Sequence, residues 1–275
     1  VTATLSTTYE KIGSHRFFVC IQGSEATHVI SCYLTKGKRT RDLEEDLVSG
    51  CLEALIGIAC GVSSELPKLS QNIEHEVVRA QEDWKQLIDG EIEYIKSEEK
   101  VSRLIFPGTF NPLHEGHLKI KELAEGKTQE ELVFEISVSN VDKAPLSFYE
   151  IKKTIDQFSD DQQWILTNAS TFQQKVKLFP KSIFVVGTDT LMRIFDEQYY
   201  QDQTTMNQAL DCFNEYDARF IVFGREINKN FLSLDDIEIP SFVRDRFKCV
   251  KEDEFRMDIR SRDIKRSEEE SRESA

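Results

Sequence analysis

From Val101 onward, strand-forming and helix-forming segments alternate along the chain, and no other feature constrains the fold as strongly. Helical spacing appears between the strands, for example at Phe148, Ile151 and Ile155. Because parallel strands need crossover connections, which are usually helices, the alternation predicts an α/β fold with a doubly wound parallel sheet. The predicted buried strands are Arg103–Phe106, Leu132–Val138, Trp164–Leu166, Ser182–Val186 and Phe220–Phe223.

A smaller α/β lobe is expected over residues 1–63. Phe17–Ile21 and Val29–Leu34 are rich in apolar and β-branched residues and predict two strands, with a turn between them. The apolar residues of Arg41–Cys60 recur at helical spacing, so a helix should follow the second strand.

The other expected boundaries follow from changes in composition. Residues 64–100 are highly charged and carry Trp84 and Leu87 on a repeating apolar stripe, which predicts a connector of one or two amphipathic helices. Residues 101–265 then form the Rossmann-like domain. Residues 266–275 are a run of Ser, Glu, Arg and Ala, and we expect this tail to be disordered.

Charge and composition exclude several classes of protein. The 275 residues carry a formal net charge of −14, which repels nucleic acid over most of the surface. No stretch approaches the ~18 apolar residues of a membrane span, and no signal peptide is visible at Val1. The six cysteines are scattered without a Cys-x-x-Cys pair, as is typical of reduced thiols in a cytoplasmic protein. The chain lacks an initiator Met, so we expect that residues precede Val1.

One loop carries the chemistry that the sequence predicts. It follows the strand that ends at Phe106, and a helix opens near Gly116, so it lies at the carboxyl end of a parallel strand, where ligands bind. Gly108 allows a close backbone approach to a phosphate, and the free amides of the helix start favour an anion. His114 and His117 are three residues apart, so both imidazoles should face the same side. The loop reads Gly108-Thr109-Phe110-Asn111-Pro112-Leu113-His114-Glu115-Gly116-His117.

This arrangement suits phosphoryl or nucleotidyl transfer, which needs positioning and charge stabilisation rather than a covalent intermediate. Two histidines are also compatible with a metal site, but no third ligand has convincing spacing and Asn-Pro is not a ligand pattern. A pair that merely caps the helix is the remaining structural alternative.

The ten-residue loop resembles the signature of the HxGH nucleotidyltransferase superfamily. Its Thr-Phe-Asn-Pro form is more similar to the nicotinamide mononucleotide and nicotinate mononucleotide adenylyltransferases than to the Phe-Asp forms of phosphopantetheine adenylyltransferase or the cytidylyltransferases. The resemblance implies that His114 and His117 are catalytic at the α-phosphate of ATP. It also implies nucleotide or phosphate contacts from Gly108, Thr109 and Phe110, and an acceptor contact from Asn111.

Later landmarks extend this resemblance. Lys143 lies in the loop after the second strand and resembles a residue that meets the acceptor phosphate, although a surface lysine in a turn is a common alternative. Gly187 and Asp189 resemble the Gly-x-Asp element that holds the nucleotide ribose, although Asp189 could simply cap the next helix. Arg225 resembles a family arginine near the nucleotide, with a solvated loop residue as the alternative.

The last landmark departs from the family pattern. The segment 255–265 resembles an Ile-Ser-Ser-Thr-x-x-Arg phosphate loop, in which Ser261 keeps a family hydroxyl. Arg260 and Arg262 replace Ser and Thr, and Lys265 replaces Arg. Ser261, Arg262 and Lys265 are therefore expected to face the β- and γ-phosphates, with more positive charge and fewer hydroxyls than the family loop. This departure keeps a non-catalytic nucleotide-binding protein open as an alternative.

The amino-terminal lobe is similar to the closing part of a CinA-type nicotinamide mononucleotide deamidase domain. In that family the catalytic Ser lies earlier, so it would fall upstream of Val1. His15 and His28 are interpreted as ordinary strand or surface histidines.

Together the two resemblances imply that the chain moves AMP from ATP to a pyridine mononucleotide and releases pyrophosphate. The implied partners are ATP and a small phosphorylated acceptor, with Mg²⁺ carried by ATP and no metal held by the protein itself. Another phosphorylated acceptor is the alternative within the same enzyme class. Homo-oligomerisation stays open.

Overall fold

The computed structural model describes residues 1–7, 14–62, 66–67, 73–141, 144–227, 230–257 and 264. The chain divides into two compact units. The first unit contains residues 1–85 and 146–153, and the second contains residues 86–145 and 154–264.

The first unit is built on an antiparallel sheet. Its strands, in the order in which they pair, are β1 (Thr2–Thr4), β2 (His15–Gln22), β3 (Ala26–Leu34) and β4 (Glu74–Arg79). Helix α1 (Arg41–Ala59) follows β3. Phe17, Val19, Ile30 and Leu55 are fully buried in one apolar cluster shared by β2, β3 and α1. The predicted strands and helix of this lobe are therefore confirmed.

The histidines of this unit lie on its sheet. His15 on β2 is buried, with Nδ1 3.0 Å from Oε1 of Glu44 on α1. His28 on β3 stacks against His75 on β4, with ring centroids 5.4 Å apart.

The prediction of a helical connector over residues 64–100 is wrong at β4 and at β5 (Tyr94–Lys96), because both segments are strands. Within that range, the apolar stripe is helical at α2 (Glu82–Asp89), where Trp84 and Leu87 are buried. β4 is exposed apart from Val78 and is held by backbone pairing to β3. Pairing with an existing sheet edge, rather than apolar spacing, decides the structure of such strands.

The second unit contains a sheet in the order β13-β10-β9-β6-β7-β8-β5. Neighbours from β13 to β8 pair in parallel, whereas β5 pairs antiparallel with β8. This confirms the Rossmann-like, doubly wound α/β fold. The α-helices and strands after β5 are β6 (Leu104–Pro107), α3 (Glu115–Thr128), β7 (Leu132–Ser137), α4 (Phe148–Ile155), β8 (Gln163–Thr167), α5 (Phe172–Leu178), β9 (Ile183–Gly187), α6 (Thr188–Ile194), α7 (Gln203–Glu215), β10 (Arg219–Phe223), β11 (Arg225–Ile227), β12 (Asn230–Leu232) and β13 (Phe247–Val250).

The direction in which successive strands are added to the sheet reverses at β6. From β6 the chain adds β7 and then β8 on one side, and it returns to place β9 and then β10 on the other side. The parallel strands β6, β7, β9 and β10 therefore end at the same edge, and β6 and β9 flank the switch point. Ligands bind at such a point in open α/β sheets. Within the described ranges, no helix is long and apolar enough to cross a membrane.

Candidate active site

A cavity of about 640 Å³ opens at the carboxyl edge of β6, β7, β9 and β10. It brings together segments that are far apart in the sequence, because each of them follows a parallel strand. The sequence-predicted residues that line it are Gly108, Thr109, Phe110, His114, His117, Gly187, Asp189 and Arg225.

His114 and His117 form a stacked pair at the start of α3. Their ring centroids are 3.7 Å apart, with an angle of 23° between the ring planes. His114 is the extended N-cap residue of α3, and His117 lies in its first turn. The prediction that both imidazoles face the same side is confirmed, and both side chains line the cavity together with Gly116.

The buried side chain of Phe110 anchors the loop between β6 and α3 to the core. Its backbone is in the left-handed region, with φ at 40°, and its side chain is 1% exposed. Its ring makes edge-on contacts with His117 and Phe134, with both centroid distances at 5.0 Å. A Cβ atom on Gly108 would lie 2.6 Å from this ring, so glycine is required there. The Phe110 side chain is thus a core anchor, and any phosphate contact at this residue must come from its backbone.

Gln157 is a supporting residue that sequence reasoning missed. Its Oε1 accepts a hydrogen bond from the Leu113 backbone N–H at 2.6 Å, and its Nε2 donates to the Phe110 carbonyl at 2.5 Å. These bonds fix the loop on either side of Asn111. In the sequence Gln157 is an ordinary polar residue just after a helical pattern, so no local signal marks it.

Both histidines are held in the neutral form. Burial lowers the pKa of His117 to about 3, with smaller contributions from His114 and the Arg225 guanidinium. Burial, followed by Arg225, also lowers the pKa of His114. The His114 backbone N–H donates to Nδ1 of His117 at 3.3 Å, so the proton of neutral His117 resides on Nε2. His117 can therefore donate a hydrogen bond without carrying a positive charge.

Asp189 and Arg225 face each other across the ends of β9 and β10. The Arg225 Nη1 atom lies 3.1 Å from Oδ2 of Asp189, and both side chains are roughly half-exposed. Asp189 is in the first turn of α6, whose N-cap is Gly187, and no side-chain cap bond is made there. A Cβ atom on Gly187 would lie 2.6 Å from Oδ1 of Asp189, so a larger residue there would displace this carboxylate.

Sequence reasoning also missed a buried ion pair on the cavity wall. Lys175 Nζ on α5 lies 2.6 Å from Oε1 of Glu135 on β7, and both residues line the cavity. Glu135 is 1% exposed and Lys175 is 5% exposed. Glu135 falls inside a predicted strand and Lys175 inside a helix, so their contact across 40 positions leaves no local trace in the sequence.

Other predicted site residues are placed differently. Asn111 is exposed and is not among the residues that line the cavity. Phe255 and Met257, at the start of the segment 255–265 that resembles a phosphate loop, do line the cavity. Lys143, Ser261, Arg262 and Lys265 lie outside the described residues.

Charged residues on the described wall are matched in pairs. Lys175 pairs with Glu135 and Arg225 pairs with Asp189, so little positive charge is left for a triphosphate. Among the described residues, no group of three His, Cys, Asp or Glu side chains is placed to hold a metal ion.

The sheet order and the loop after β6 place this domain in the class of Rossmann-like, doubly wound α/β domains. A family model described as Cytidylyltransferase-like matches residues 105–267, which is more than half of the 275-residue chain, and the chain belongs to this family. This membership places the domain in the HxGH nucleotidyltransferase superfamily and supports a nucleotidyltransferase activity in general. Comparisons with curated proteins and with solved structures find no match.

Proposed function

We propose that this domain transfers AMP from ATP to a pyridine mononucleotide, either nicotinamide or nicotinate mononucleotide, and releases pyrophosphate. The observation that carries the proposal is the stacked pair of His114 and His117, which lines the cavity at the amino end of α3. Family membership supports nucleotidyl transfer in general. The pyridine acceptor rests on the Thr-Phe-Asn-Pro form of the loop and on the CinA-like sequence of the first lobe.

In the proposed step, a phosphate oxygen of the acceptor attacks the α-phosphorus of ATP. A new P–O bond joins the two nucleotides, while the bond from the α-phosphorus to the bridging oxygen of the β-phosphate breaks. Pyrophosphate leaves with that electron pair, so no enzyme-bound covalent intermediate is formed. The role of the protein is to position the two phosphates in line and to stabilise the added charge.

His117 contributes a donor through its Nε2–H, and His114 adds a second imidazole beside it. Neutral imidazoles in a partly buried site stabilise developing charge by fixed hydrogen bonds and need no solvent reorganisation. The backbone amides at the start of α3 and around Gly108 supply further donors. Magnesium bound to the triphosphate supplies charge neutralisation there.

We assign the other predicted residues to contacts with the ribose, the acceptor and the phosphates. Asp189 would hold the ATP ribose, and Arg225 would exchange its carboxylate partner for phosphate. Asn111 and Lys143 are proposed for the acceptor. For the β- and γ-phosphates we propose Ser261, Arg262 and Lys265. The charge of the last two would add to the small positive charge on the described wall of the cavity. With a net charge of −14, we further propose small nucleotides rather than nucleic acids as partners, in the cytoplasm.

A non-catalytic nucleotide-binding protein is the second candidate, because Arg260 and Arg262 replace hydroxyl residues of the family loop. One experiment separates the candidates. Pyrophosphate release is measured with Mg²⁺ and either ATP or CTP, using nicotinamide mononucleotide, nicotinate mononucleotide and phosphopantetheine as acceptors. The proposal expects release with ATP and a pyridine mononucleotide. Release with phosphopantetheine or CTP alone would reassign the substrate, and binding of ATP without any release would favour the second candidate.

A further inference from the structure

The buried pair of Glu135 and Lys175 has an unused hydrogen-bonding position on the cavity wall. Oε1 of Glu135 is fully engaged, because it accepts from Lys175 Nζ at 2.6 Å and from the Thr167 hydroxyl at 2.5 Å. Oε2 of the same carboxylate is buried and has no hydrogen-bond partner among the residues that the structure describes. Since Glu135 is among the residues that line the cavity, this buried oxygen is an acceptor without a donor within the cavity wall.

Lys175 complements this acceptor. Its ammonium group donates to Glu135 and to the Ala169 carbonyl, at 2.6 and 2.7 Å, which uses two of its three protons. A buried carboxylate oxygen without a donor loses the hydrogen bonds that water provides in the unfolded chain, and this loss is larger because the group is charged. Such a group is retained at little net cost where a bound ligand supplies the missing donor.

We propose that Glu135 selects the acceptor substrate by accepting a hydrogen bond from a neutral N–H group, as in a carboxamide. This inference rests on the proposed function and deepens it. A carboxamide offers an N–H₂ to Oε2 of Glu135 and a carbonyl oxygen to the remaining proton of Lys175. A carboxylate offers no donor and places a second negative charge beside Glu135, which disfavours it. The domain therefore uses nicotinamide mononucleotide in preference to nicotinate mononucleotide.

The expected size of the preference follows from the group involved. A hydrogen bond to a charged group contributes about 1.5–3 kcal/mol, which corresponds to roughly 10- to 100-fold in kcat/KM. We expect the wild-type ratio of kcat/KM, amide over acid, to be at least about tenfold.

The test compares this ratio in the wild type, Glu135→Gln and Glu226→Gln. Glu135→Gln keeps the size of the side chain, removes its charge and adds a donor that suits a carboxylate, so the ratio should fall at least about tenfold. Glu226→Gln makes the same chemical change elsewhere on the cavity wall and should leave the ratio unchanged. Structural damage would lower kcat/KM for both acceptors together and would not move the ratio.

Failure of this inference is distinguishable from failure of the proposed function. Pyrophosphate release with both acceptors, but with a wild-type preference for the acid or with no change in Glu135→Gln, would overturn the inference and leave the function standing. If neither acceptor gives pyrophosphate release, the proposed function is overturned. Calorimetric titration of the two mononucleotides then decides the role of Glu135: tighter amide binding that Glu135→Gln abolishes supports it, and any other result overturns it.

Discussion

Two walls of the cavity in the second unit differ in how they use charge. The His wall is neutral: its two imidazoles stack on each other, and His117 makes edge-on contacts with the buried rings of Phe106 and Phe110. The ion-pair wall is charged, but its charges are paired with one another. The His wall consists of Phe106, Phe110, His114 and His117, and the ion-pair wall consists of Glu135, Lys175, Asp189 and Arg225.

The difference indicates that the His wall positions the reacting phosphate and that the ion-pair wall recognises the ligand. The His wall can fix a phosphate in place, yet its imidazoles carry no charge at neutral pH, since burial lowers their pKa values. The ion-pair wall can respond to a ligand by exchanging partners, most easily at Arg225, which is more exposed than Lys175. Changes to the buried pair should affect stability, and changes to the His wall should affect turnover.

The largest expected effect is on stability, from Lys175→Met. This change leaves the Glu135 carboxylate buried without its cation, which typically costs about 3–5 kcal/mol. The free energy of unfolding, measured by urea denaturation, should fall by that amount. Lys177→Met, on the exposed face of the same helix, is the matched control and should change little. Equal stability of the two variants would mean that the pair does not hold β7 to α5.

Replacing His117 with Ala should mainly affect turnover. Loss of one positioned donor to a developing charge typically lowers kcat by about 10²–10³-fold. Pyrophosphate release under saturating substrates measures this effect. His75→Ala, on the exposed strand β4, is the control and should retain wild-type turnover. A His117→Ala protein with full turnover would remove the His wall from the mechanism.

Acid should weaken folding through His117. Its folded-state pKa of about 3 lies below its unfolded value, so the unfolded chain binds more protons as pH falls. The folding stability that neutral His117 contributes is fully present above about pH 6.5. About 2 kcal/mol of it is lost when the pH falls to about 5. Urea denaturation at about pH 7 and about pH 5 should show a smaller acid loss in His117→Gln than in the wild type. An identical loss in both proteins would contradict a neutral, buried His117.

The smallest effect is expected at Asp189→Asn. Its ion pair with Arg225 is half-exposed, and such pairs contribute at most ~1 kcal/mol to stability. If Asp189 holds the ribose, the KM for ATP should instead rise about tenfold, as for loss of a hydrogen bond to a charged group. A large fall in the melting temperature with an unchanged KM would make the pair structural.

The sequence predicts the parallel sheet and much of the candidate site for a simple reason. Buried strands are short apolar runs, and residues that follow parallel strands meet at one edge, so His114, Asp189 and Arg225 could be expected on one cavity. Edge strands such as β4 and β5 were missed because backbone pairing, not apolar periodicity, forms them. Glu135 with Lys175, like Gln157 with the loop, depends on contacts across about 40 positions that no local pattern encodes.

The most direct test follows the α-phosphorus of ATP. ATP labelled with ³²P at the α-position is incubated with the protein, Mg²⁺ and nicotinamide mononucleotide, and parallel reactions use ATP labelled at the γ-position. The account predicts that the α-label appears in a dinucleotide with the acceptor and that the γ-label appears in pyrophosphate. Transfer of the γ-label to the acceptor, or release of α-labelled AMP without a dinucleotide, would contradict nucleotidyl transfer at this site.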